Sequence, residues 1–378
     1  MKHIRQKGER CMIRVLHILD SMEMGGIQSF ILNIYRSIDN SKMQFDFLLH
    51  REMNNENEKE IKRMGGNIYF VPTRRKGIKK NKEALKDFFK QHTGYDAIHF
   101  HISSLSYVEP LMAAKKAGIP VRIVHSHSSQ APKNNKFHIV LHEINKRRLH
   151  RFATHYFSCS DRAAQWFYGN TKMLDKSIFI PNGIQINEYA FDPDVRKAYR
   201  KEFQVEDRRV IGHVGRFQYP KNHEFLIELF RAYARTDDKA VLMLVGDGEN
   251  RMNIEKVVGE YGLSDKVFFL GSRNDVNKIL QMFDLFILPS RYEGFPVTMV
   301  EAQASSLPCI VSDTVTHSVD ISGKVRFCKL SDSMEVWINN IREMLTCERD
   351  LAGVDKVRNA GYDMKDIINN LFCLYCNK

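Results

Sequence analysis

Two glutamates, Glu293 and Glu301, stand eight residues apart in the C-terminal part of the chain. A largely apolar run at 284–289 precedes the first of them and has the composition of a buried parallel strand. Pro296 suits the first position of a helix, where a missing N–H costs nothing. We therefore expect Glu293 in a strand-to-helix turn and Glu301 in the second turn of the helix.

The start of such a helix can hold an anion, because its first backbone N–H groups have no partner within the helix. Two carboxylates beside an anion site indicate an enzyme that handles a phosphorylated molecule rich in hydroxyl groups. From the residues alone, either glutamate can act as a general acid or as a nucleophile.

A second candidate phosphate site combines a glycine turn with two cations. Gly215-Arg216 follows the strand-like run at 210–214, and Lys221 comes five residues after the arginine. An arginine can hold phosphate oxygens through two N–H groups, and a lysine adds a compact positive charge. We interpret the segment as a phosphate grip; a surface loop with ordinary cations is the alternative.

Other predicted strands also end in glycine turns. Gly25-Gly26 follows the first strand and could let a phosphate approach the backbone, although a plain tight turn explains it equally well. Gly246-Asp-Gly248 follows another strand but lacks the third glycine of a dinucleotide fingerprint. NAD binding therefore has little support.

Strand-like and helical patterns alternate along the whole chain, which predicts parallel sheets covered by helices on both faces. Strands are expected at 13–19, 45–49, 67–71, 97–102, 121–126, 155–159 and 177–180, and then at 210–214, 240–245, 266–270, 284–289, 309–312 and 325–328. A polar, turn-rich stretch near 182–208 separates the two sets. The predicted fold class is therefore α/β, with two Rossmann-like parallel-sheet domains that face a central cleft and bind ligands at the carboxyl ends of strands.

The composition is that of a globular chain with two domains: 378 residues, 43% hydrophobic and 27% charged. No apolar run approaches the ~20 residues that span a bilayer. The short run at 13–19 is interrupted by Arg14 and His17, so it predicts a strand rather than a signal peptide. Residues 1–11 are expected to form an extension before a start at Met12.

Seven cysteines, an odd number without framework spacing, favour reduced thiols in a cytoplasm.

The formal net charge of +12 is concentrated in two clusters, one at 74–82 and one at Lys146, Arg147, Arg148 and Arg151. A solvated surface is one interpretation. Attraction to anionic lipid headgroups is the other, since each nearby Lys or Arg contributes about 1 kcal/mol to such binding. No zinc-finger or RNP spacing occurs and the clusters lack interleaved stacking aromatics, so a nucleic-acid partner is not predicted.

Taken in order along the chain, these motifs resemble the retaining glycosyltransferases of family 4, which have the GT-B fold. The resemblance extends from about residue 12 to the C-terminus and is anchored by the E-x7-E pattern. Within the family the chain is most similar to bacterial enzymes of capsular or exopolysaccharide assembly. This narrower similarity is based on the segment at 124–128 and the basic helical stretch that follows it. The motifs are Gly25-Gly26, Pro181-Asn-Gly-Ile184, Gly215-Arg216 with Lys221, Gly246-Asp-Gly248, and Glu293-Gly-Phe-Pro with Glu301.

The resemblance assigns roles to individual residues. Arg216 and Lys221 would hold the diphosphate of a nucleotide sugar. Glu301 would accept hydrogen bonds from the ribose hydroxyls, and Glu293 would contact sugar hydroxyls. Further donor contacts are expected mainly from backbone groups, at Gly294, Phe295 and Val297 for the sugar and phosphate, near Arg273 for the base, and at Gly25 and Gly26 for the phosphates.

Histidines supply the remaining candidates. His127 aligns best with the family's active-site histidine, which lies in the N-terminal domain near the donor sugar. His125 has the same side-chain parity along the predicted strand and is the second choice. His99 and His101 form another same-face pair that could line the acceptor side. For each of them, a histidine that serves only core packing is the alternative.

The resemblance implies a retaining hexosyltransferase with a nucleotide sugar, expected to be a UDP-sugar, as donor and no further cofactor. The acceptor would be a hydroxyl of a polyprenyl-linked oligosaccharide or a similar glycan. The family's front-side attack would leave Glu293 to position the sugar. No metal is expected, because Arg216 and Lys221 supply positive charge, and the acidic string Asp192-Pro-Asp194 is interpreted as a turn.

Two other functions stay open: a sugar-nucleotide epimerase on the same fold, and an inactive peripheral membrane scaffold. The chain is expected in the cytoplasm, either free or peripheral on the inner face of the plasma membrane. The expected domains are an acceptor-side domain at 1–190, a nucleotide-sugar-binding domain at 191–350, and a helical segment at 351–378 that crosses back to the first domain.

Overall fold

The structure, a computed structural model, describes residues 12–23, 25–127, 136–349 and 351–376. The expected extension at 1–11 lies outside the described residues, as does Ser128 at the end of the 124–128 segment. The chain divides into two compact units. Unit 1 comprises Met1–Asn182 with Met364–Lys378, and unit 2 comprises Gly183–Asp363.

Unit 1 is built on a seven-stranded parallel sheet in the order β3-β2-β1-β4-β5-β6-β7. Its strands are β1 (Ile13–Leu19), β2 (Met43–Leu49), β3 (Ile68–Phe70), β4 (Ala97–Ile102), β5 (Val121–Ser126), β6 (His155–Ser158) and β7 (Ser177–Phe179). The helices between them are α1 (Gly26–Ser37), α2 (Glu56–Arg63), α3 (Ile78–Gln91), α4 (Glu109–Lys116), α5 (Lys136–Arg148) and α6 (Asp161–Tyr168). The apolar side chains of the strands form one core cluster on each face of the sheet.

Unit 2 repeats the arrangement with a six-stranded parallel sheet in the order β10-β9-β8-β11-β12-β13. Its strands are β8 (Arg209–Val214), β9 (Ala240–Val245), β10 (Val267–Gly271), β11 (Leu285–Leu288), β12 (Cys309–Ser312) and β13 (Val325–Cys328). Its helices are α7 (Pro193–Glu202), α8 (His223–Ala234), α9 (Arg251–Glu260), α10 (Val276–Met282), α11 (Val297–Ala304), α12 (Met334–Leu345) and α13 (Gly353–Asn359). Loops after β8 and β11 meet, because these two strands are neighbours at the centre of the sheet.

The last helix, α14 (Met364–Tyr375), packs within unit 1 although it follows unit 2 in sequence. Its buried face consists of Met364, Ile367, Leu371 and Tyr375, which join the core cluster that β1 and β2 form with α1. The sequence-based boundaries were 190 and 350, whereas the chain leaves unit 1 after Asn182 and returns at Met364. In the described part of the chain, no helix is long and apolar enough to cross a membrane.

All thirteen predicted strands are present, with ends that shift by at most two residues. One local expectation differs from the structure. Asp192-Pro-Asp194, expected to be a turn, starts α7 instead: the Asp192 carboxylate accepts hydrogen bonds from the backbone N–H groups of Asp194 and Val195 as a helix cap.

Candidate functional site

Two loops at the carboxyl edge of the unit 2 sheet bring the predicted cation and carboxylate together. Lys221 lies in the loop after β8 and Glu293 in the loop after β11, and their Nζ and Oε1 atoms are 2.6 Å apart. The side chains are only 18% and 14% exposed. The Ser290 hydroxyl donates to the same carboxylate oxygen at 2.8 Å. The sequence predicted both residues for this site but not the ion pair between them.

Arg216, in the same loop as Lys221, is exposed, and its guanidinium has no hydrogen bond or ion pair within the described part of the chain. Glycine allows the loops around it to pack closely. A Cβ at Gly246, where φ is +136°, would lie 2.1 Å from the carbonyl oxygen of Gly215. A Cβ at Gly215 would come within 3.2 Å of the Lys221 side chain. Among the described residues, Arg216 is therefore an unpaired cation in the same loop as the paired Lys221.

Glu301 lies on α11 at the same edge and is partly buried. The Tyr189 hydroxyl donates to its Oε1 at 3.0 Å. Burial raises the pKa of Glu301, while the Tyr189 hydrogen bond and the charge of Lys221 act in the opposite direction. Burial and the neighbouring carboxylate raise the pKa of Tyr189, so this hydroxyl keeps its proton and acts as a donor. Sequence analysis missed Tyr189, because it lies 112 residues from Glu301 in a short 3-10 turn without a recognisable motif.

The turn between Glu293 and α11 keeps its backbone accessible. A Cβ at Gly294 would meet no atom within 4 Å, so no protein contact demands glycine there. Phe295 stacks on Tyr362 with ring centroids 5.4 Å apart. Pro296 immediately precedes α11, which begins at Val297 without a side-chain cap. Among the described residues, the N–H groups of Val297 and Thr298 are therefore left for another partner, whereas that of Met299 donates to the carbonyl oxygen of Pro296.

Arg273, predicted near the base, lies just after β10 and its side chain is already paired. Its Nε and a terminal nitrogen donate to the Asp275 carboxylate at 2.8 and 2.7 Å. The same carboxylate accepts from the Tyr199 hydroxyl at 2.9 Å. The backbone of this turn, where Gly271 has a φ of +66°, is still left for a ligand.

The predicted unit 1 residues follow β1 and β5. Gly25 caps α1 with extended backbone, and a Cβ at Gly26 would meet no atom within 4 Å. His127 directly follows β5, and its Nε2 lies 3.0 Å from Nδ1 of His101. Burial lowers the pKa of His127 to about 3, so the ring is neutral at physiological pH. The structure also places His17 in this group, which sequence analysis treated only as an interruption of an apolar run.

Comparisons with known proteins agree with this architecture. Residues 24–188 match the family described as Glycosyltransferase Family 4, and residues 195–362 match Glycosyl transferases group 1. The putative glycosyltransferase EpsF of Bacillus subtilis is 34% identical over 96% of both chains. An Escherichia coli enzyme, UDP-Gal:alpha-D-GlcNAc-diphosphoundecaprenol alpha-1,3-galactosyltransferase, is 26% identical over 81% of both chains.

A solved structure shares this fold. Anabaena Alr3699/HepE, crystallised in complex with UDP, superposes with a TM-score of 0.74 at 17% identity, over 95% of this chain and 98% of its own. Two parallel-sheet α/β units in one chain are the GT-B arrangement predicted from the motifs, and that prediction is confirmed. The chain therefore belongs to glycosyltransferase family 4.

Proposed function

We propose that this glycosyltransferase moves a sugar from a UDP-sugar, with retention of anomeric configuration, to a hydroxyl of a lipid-linked glycan. The observation that carries the proposal is the carboxyl edge of the unit 2 sheet, where Arg216, unpaired among the described residues, stands beside the Lys221–Glu293 pair and the partly buried Glu301. The names of the Escherichia coli enzyme and of the HepE complex support a uridine nucleotide and a diphosphoundecaprenol-linked acceptor.

In this proposal the cations act on the leaving group. As the bond from the anomeric carbon to the diphosphate oxygen breaks, negative charge grows on the diphosphate, and Arg216 and Lys221 stabilise it. Glu301 accepts hydrogen bonds from the ribose hydroxyls, and Glu293 accepts from a sugar hydroxyl while it holds Lys221 in place. Arg216 and Lys221 supply positive charge without a metal, so we expect EDTA to leave activity unchanged. A requirement for added Mn²⁺ would contradict this.

The bond-forming step is front-side attack. The acceptor hydroxyl oxygen bonds to the anomeric carbon on the face that the diphosphate leaves, and the hydroxyl proton passes to the departing phosphate oxygen. Glu293 then forms no bond to the sugar. A glycosyl ester on Glu293, trapped with a slow donor and detected by mass spectrometry, would show a two-step reaction instead.

The choice of donor can be tested without knowledge of the acceptor. Purified protein is mixed with UDP-, GDP-, ADP- and dTDP-sugars, and binding is followed by the shift in melting temperature. We expect UDP-sugars to raise the melting temperature most, since a ligand that binds only the folded state stabilises it. A Glu301→Gln protein should lose most of this shift. Equal shifts with all four nucleotides would contradict a uridine-specific site.

The two other functions predict different products. An epimerase would release a free isomerised sugar without an acceptor, whereas a transferase joins the sugar to a second molecule. An inactive scaffold would bind no nucleotide sugar. The guanidinium of Arg216, which has no partner among the described residues, and the partly buried carboxylate of Glu301 favour a binding site that is still in use.

Attachment to an anionic membrane surface is a further part of the proposal. Between α3 and α4 lies a groove of about 920 Å³ with Leu85, Phe89 and Met112 among its apolar lining. Its rim carries exposed lysines that have no ion pair within the described residues: Lys79, Lys82, Lys86, Lys90 and Lys116. An apolar floor with a cationic rim suits the acyl chains and phosphates of an anionic lipid. We infer that the enzyme works at the cytoplasmic face of a membrane.

Vesicle flotation tests this attachment. The protein should float with phosphatidylglycerol vesicles and not with phosphatidylcholine vesicles. A Lys82→Glu/Lys86→Glu protein should lose most of this binding, because each lysine near the surface contributes about 1 kcal/mol. The matched control is Lys201→Glu/Lys256→Glu, which changes the net charge by the same amount at exposed lysines on α7 and α9 of unit 2. This protein should still float. Equal losses of vesicle binding in both proteins would show that the membrane contact does not lie at this groove.

Removal of the Tyr189 hydroxyl should change how donor binding depends on pH. In Tyr189→Phe the pKa of Glu301 rises further, because the hydrogen bond that opposes burial is lost. Ribose hydroxyls bind the ionised carboxylate, so we expect the acidic limb of the pH profile to move to higher pH. KM for the UDP-sugar should rise about three- to tenfold, the value of one hydrogen bond.

The matched control is Tyr233→Phe. Tyr233 lies on α8 of unit 2, and its hydroxyl donates to the Asp237 carboxylate at 2.9 Å. It should leave the profile and KM unchanged. If Tyr189→Phe behaves like the control, Tyr189 does not tune Glu301.

A further inference from the structure

Five histidines cluster on three adjacent strands at the centre of the unit 1 sheet. His17 lies on β1, His99 and His101 lie on β4, and His125 and His127 lie at the end of β5 and just beyond it. The strands pair so that His17 faces His99 and His101 faces His125. Four of the five side chains are buried, and His127 is partly exposed.

Three of these rings form a chain of hydrogen bonds. His17 Nδ1 lies 2.9 Å from His101 Nε2, and His101 Nδ1 lies 3.0 Å from His127 Nε2. Both pairs have ring centroids 5.2 Å apart, with interplanar angles of 14° and 34°. Rings that meet nitrogen to nitrogen at this separation lie edge to edge, as an N–H···N hydrogen bond requires.

A second, separate chain lies against the first. The Tyr375 hydroxyl of α14 is 2.7 Å from His99 Nδ1, and His99 Nε2 is 3.1 Å from His125 Nδ1. The two chains stack face to face, with 4.2 Å between the ring centroids of His99 and His101 and 4.0 Å between those of His125 and His127.

Shared protons explain this geometry better than a metal ion does. Two groups of three rings, His17 with His99 and His101, and His101 with His125 and His127, have nitrogen atoms within 4.8 Å of one another. A nitrogen lone pair lies in the plane of its ring, and stacked rings hold their lone pairs in roughly parallel planes. Three such lone pairs do not converge on one ion, whereas edge-to-edge pairs already satisfy each other.

The surroundings keep the rings neutral. Phe30, Phe45, Phe47 and Phe157 pack against them, and among the described residues no carboxylate pairs with any of the five. Burial lowers the pKa of His17 and of His127 to about 3. Each ring therefore carries one N–H and one lone pair.

Because the rings are neutral, the protons in the chain from His17 through His101 to His127 can be arranged in two ways. In one, the hydrogen bonds run inward from His127 to His17 and leave a buried N–H at Nε2 of His17, which has no partner. In the other, they run outward, and the unpartnered Nε2 of His17 carries only a lone pair. Buried N–H groups without an acceptor are the rarer defect in proteins. The outward arrangement puts the proton of His127 on Nδ1.

We propose that His17 and His101 are positioning residues that hold His127 in its neutral Nδ1–H tautomer. The ring then presents an N–H donor, with no acceptor among the described residues, at the carboxyl edge of the unit 1 sheet. Such a donor suits an oxygen of the donor sugar or of its phosphate. This use of the tautomer rests on the proposed transferase function, whereas the tautomer itself does not.

Ring-nitrogen NMR of histidine-labelled protein tests the tautomer directly. In the wild-type protein we expect His127 to show a protonated Nδ1 and an unprotonated Nε2. His101→Phe keeps a ring in the core but removes the donor to His127, and should give a mixture of tautomers. His101→Asn should restore the wild-type pattern, because its amide nitrogen can take the place of Nδ1.

The control is Tyr375→Phe, which removes one hydroxyl from the second chain and leaves the first intact. It should show the wild-type His127 signals. The tautomer proposal is overturned if wild-type His127 carries its proton on Nε2, if His101→Phe leaves its signals unchanged, or if the purified protein holds stoichiometric zinc whose removal alters the five rings.

Kinetics then test the use of the tautomer. With a UDP-sugar, kcat of His101→Phe should fall about tenfold while KM stays within about twofold, because one hydrogen bond in the transition state is lost. His101→Asn should recover most of kcat. Equal losses in His101→Phe and Tyr375→Phe would indicate general disturbance of the core and contradict the positioning role. Absent turnover in the wild-type protein would count against the transferase proposal and leave the NMR result standing.

Discussion

Lys221→Met is expected to lower kcat/KM for glycosyl transfer about 10²- to 10³-fold, the cost of removing one preorganised group that stabilises charge in a transition state. Lys221 Nζ lies 2.6 Å from the Glu293 carboxylate. The substitution therefore removes a cation from the diphosphate and also leaves a carboxylate without its counter-charge. That carboxylate then repels the diphosphate, so donor binding and turnover should both suffer. Initial rates over a range of UDP-sugar concentrations measure the change.

A second substitution separates the two causes. In Lys221→Met/Glu293→Gln the repelling charge is gone, so donor binding should recover while kcat stays low. Lys256→Met, at a lysine 74% exposed on α9, is the matched control and should keep wild-type kinetics. If Lys221→Met stays within about threefold of the control, the positive charge on the leaving group comes from elsewhere.

Ending the chain after Asp363 is expected to unfold unit 1. The deletion removes α14, whose buried face fills part of the core over β1 and β2 with Met364, Ile367, Leu371 and Tyr375. Loss of one large buried side chain typically costs about 2–5 kcal/mol, and a whole domain is stable by only about 5–15 kcal/mol. Several such losses together exceed what unit 1 can tolerate. Calorimetry should show one melting transition lost or strongly lowered.

Single substitutions locate the effect on the buried face. Leu371→Ala should lower the stability of unit 1 by about 3 kcal/mol. Asn370→Ala changes the exposed neighbour on the same helix and should leave the transition unchanged. A truncated protein that melts like the full chain would show that α14 is not part of the unit 1 core in solution.

The sheets were predictable because parallel strands leave a plain signal. Strands buried on both faces read as short apolar runs, and each run ends at a turn. What the sequence does not contain is the partner of a side chain across the fold. Lys221 and Glu293 were both assigned to the site, yet their ion pair depends on β8 lying beside β11.

The missed residues share the same cause. Tyr189 lies in a short turn and acquires a role only because the fold carries it to Glu301. His17 looked like an interruption of a hydrophobic strand, since nothing local indicates that β1 pairs with the strand that carries His101. Asp192 is the opposite case. Its carboxylate accepts hydrogen bonds from backbone N–H groups only two and three residues ahead, so the preference of Asp for helix caps could have predicted this contact from the local sequence.

The ion pair also refines the role of Glu293. A carboxylate bound by Lys221 and by the Ser290 hydroxyl is held in one orientation. A fixed orientation suits the proposed role of Glu293, which is to position a sugar hydroxyl and to hold the cation that acts on the diphosphate. In the proposed reaction, bond breaking is then assigned to Arg216 and Lys221, which would stabilise the charge that develops on the diphosphate.

The most direct test of the account is the product of a single reaction. The purified protein is incubated with an α-linked UDP-sugar and a short polyprenyl diphosphate-linked sugar, and the product is analysed by mass spectrometry and by NMR of its anomeric proton. We predict an acceptor enlarged by one sugar in α linkage, and none with Lys221→Met at the same enzyme concentration and time. A β-linked product, or a free isomerised sugar without any change in the acceptor, would contradict retaining transfer.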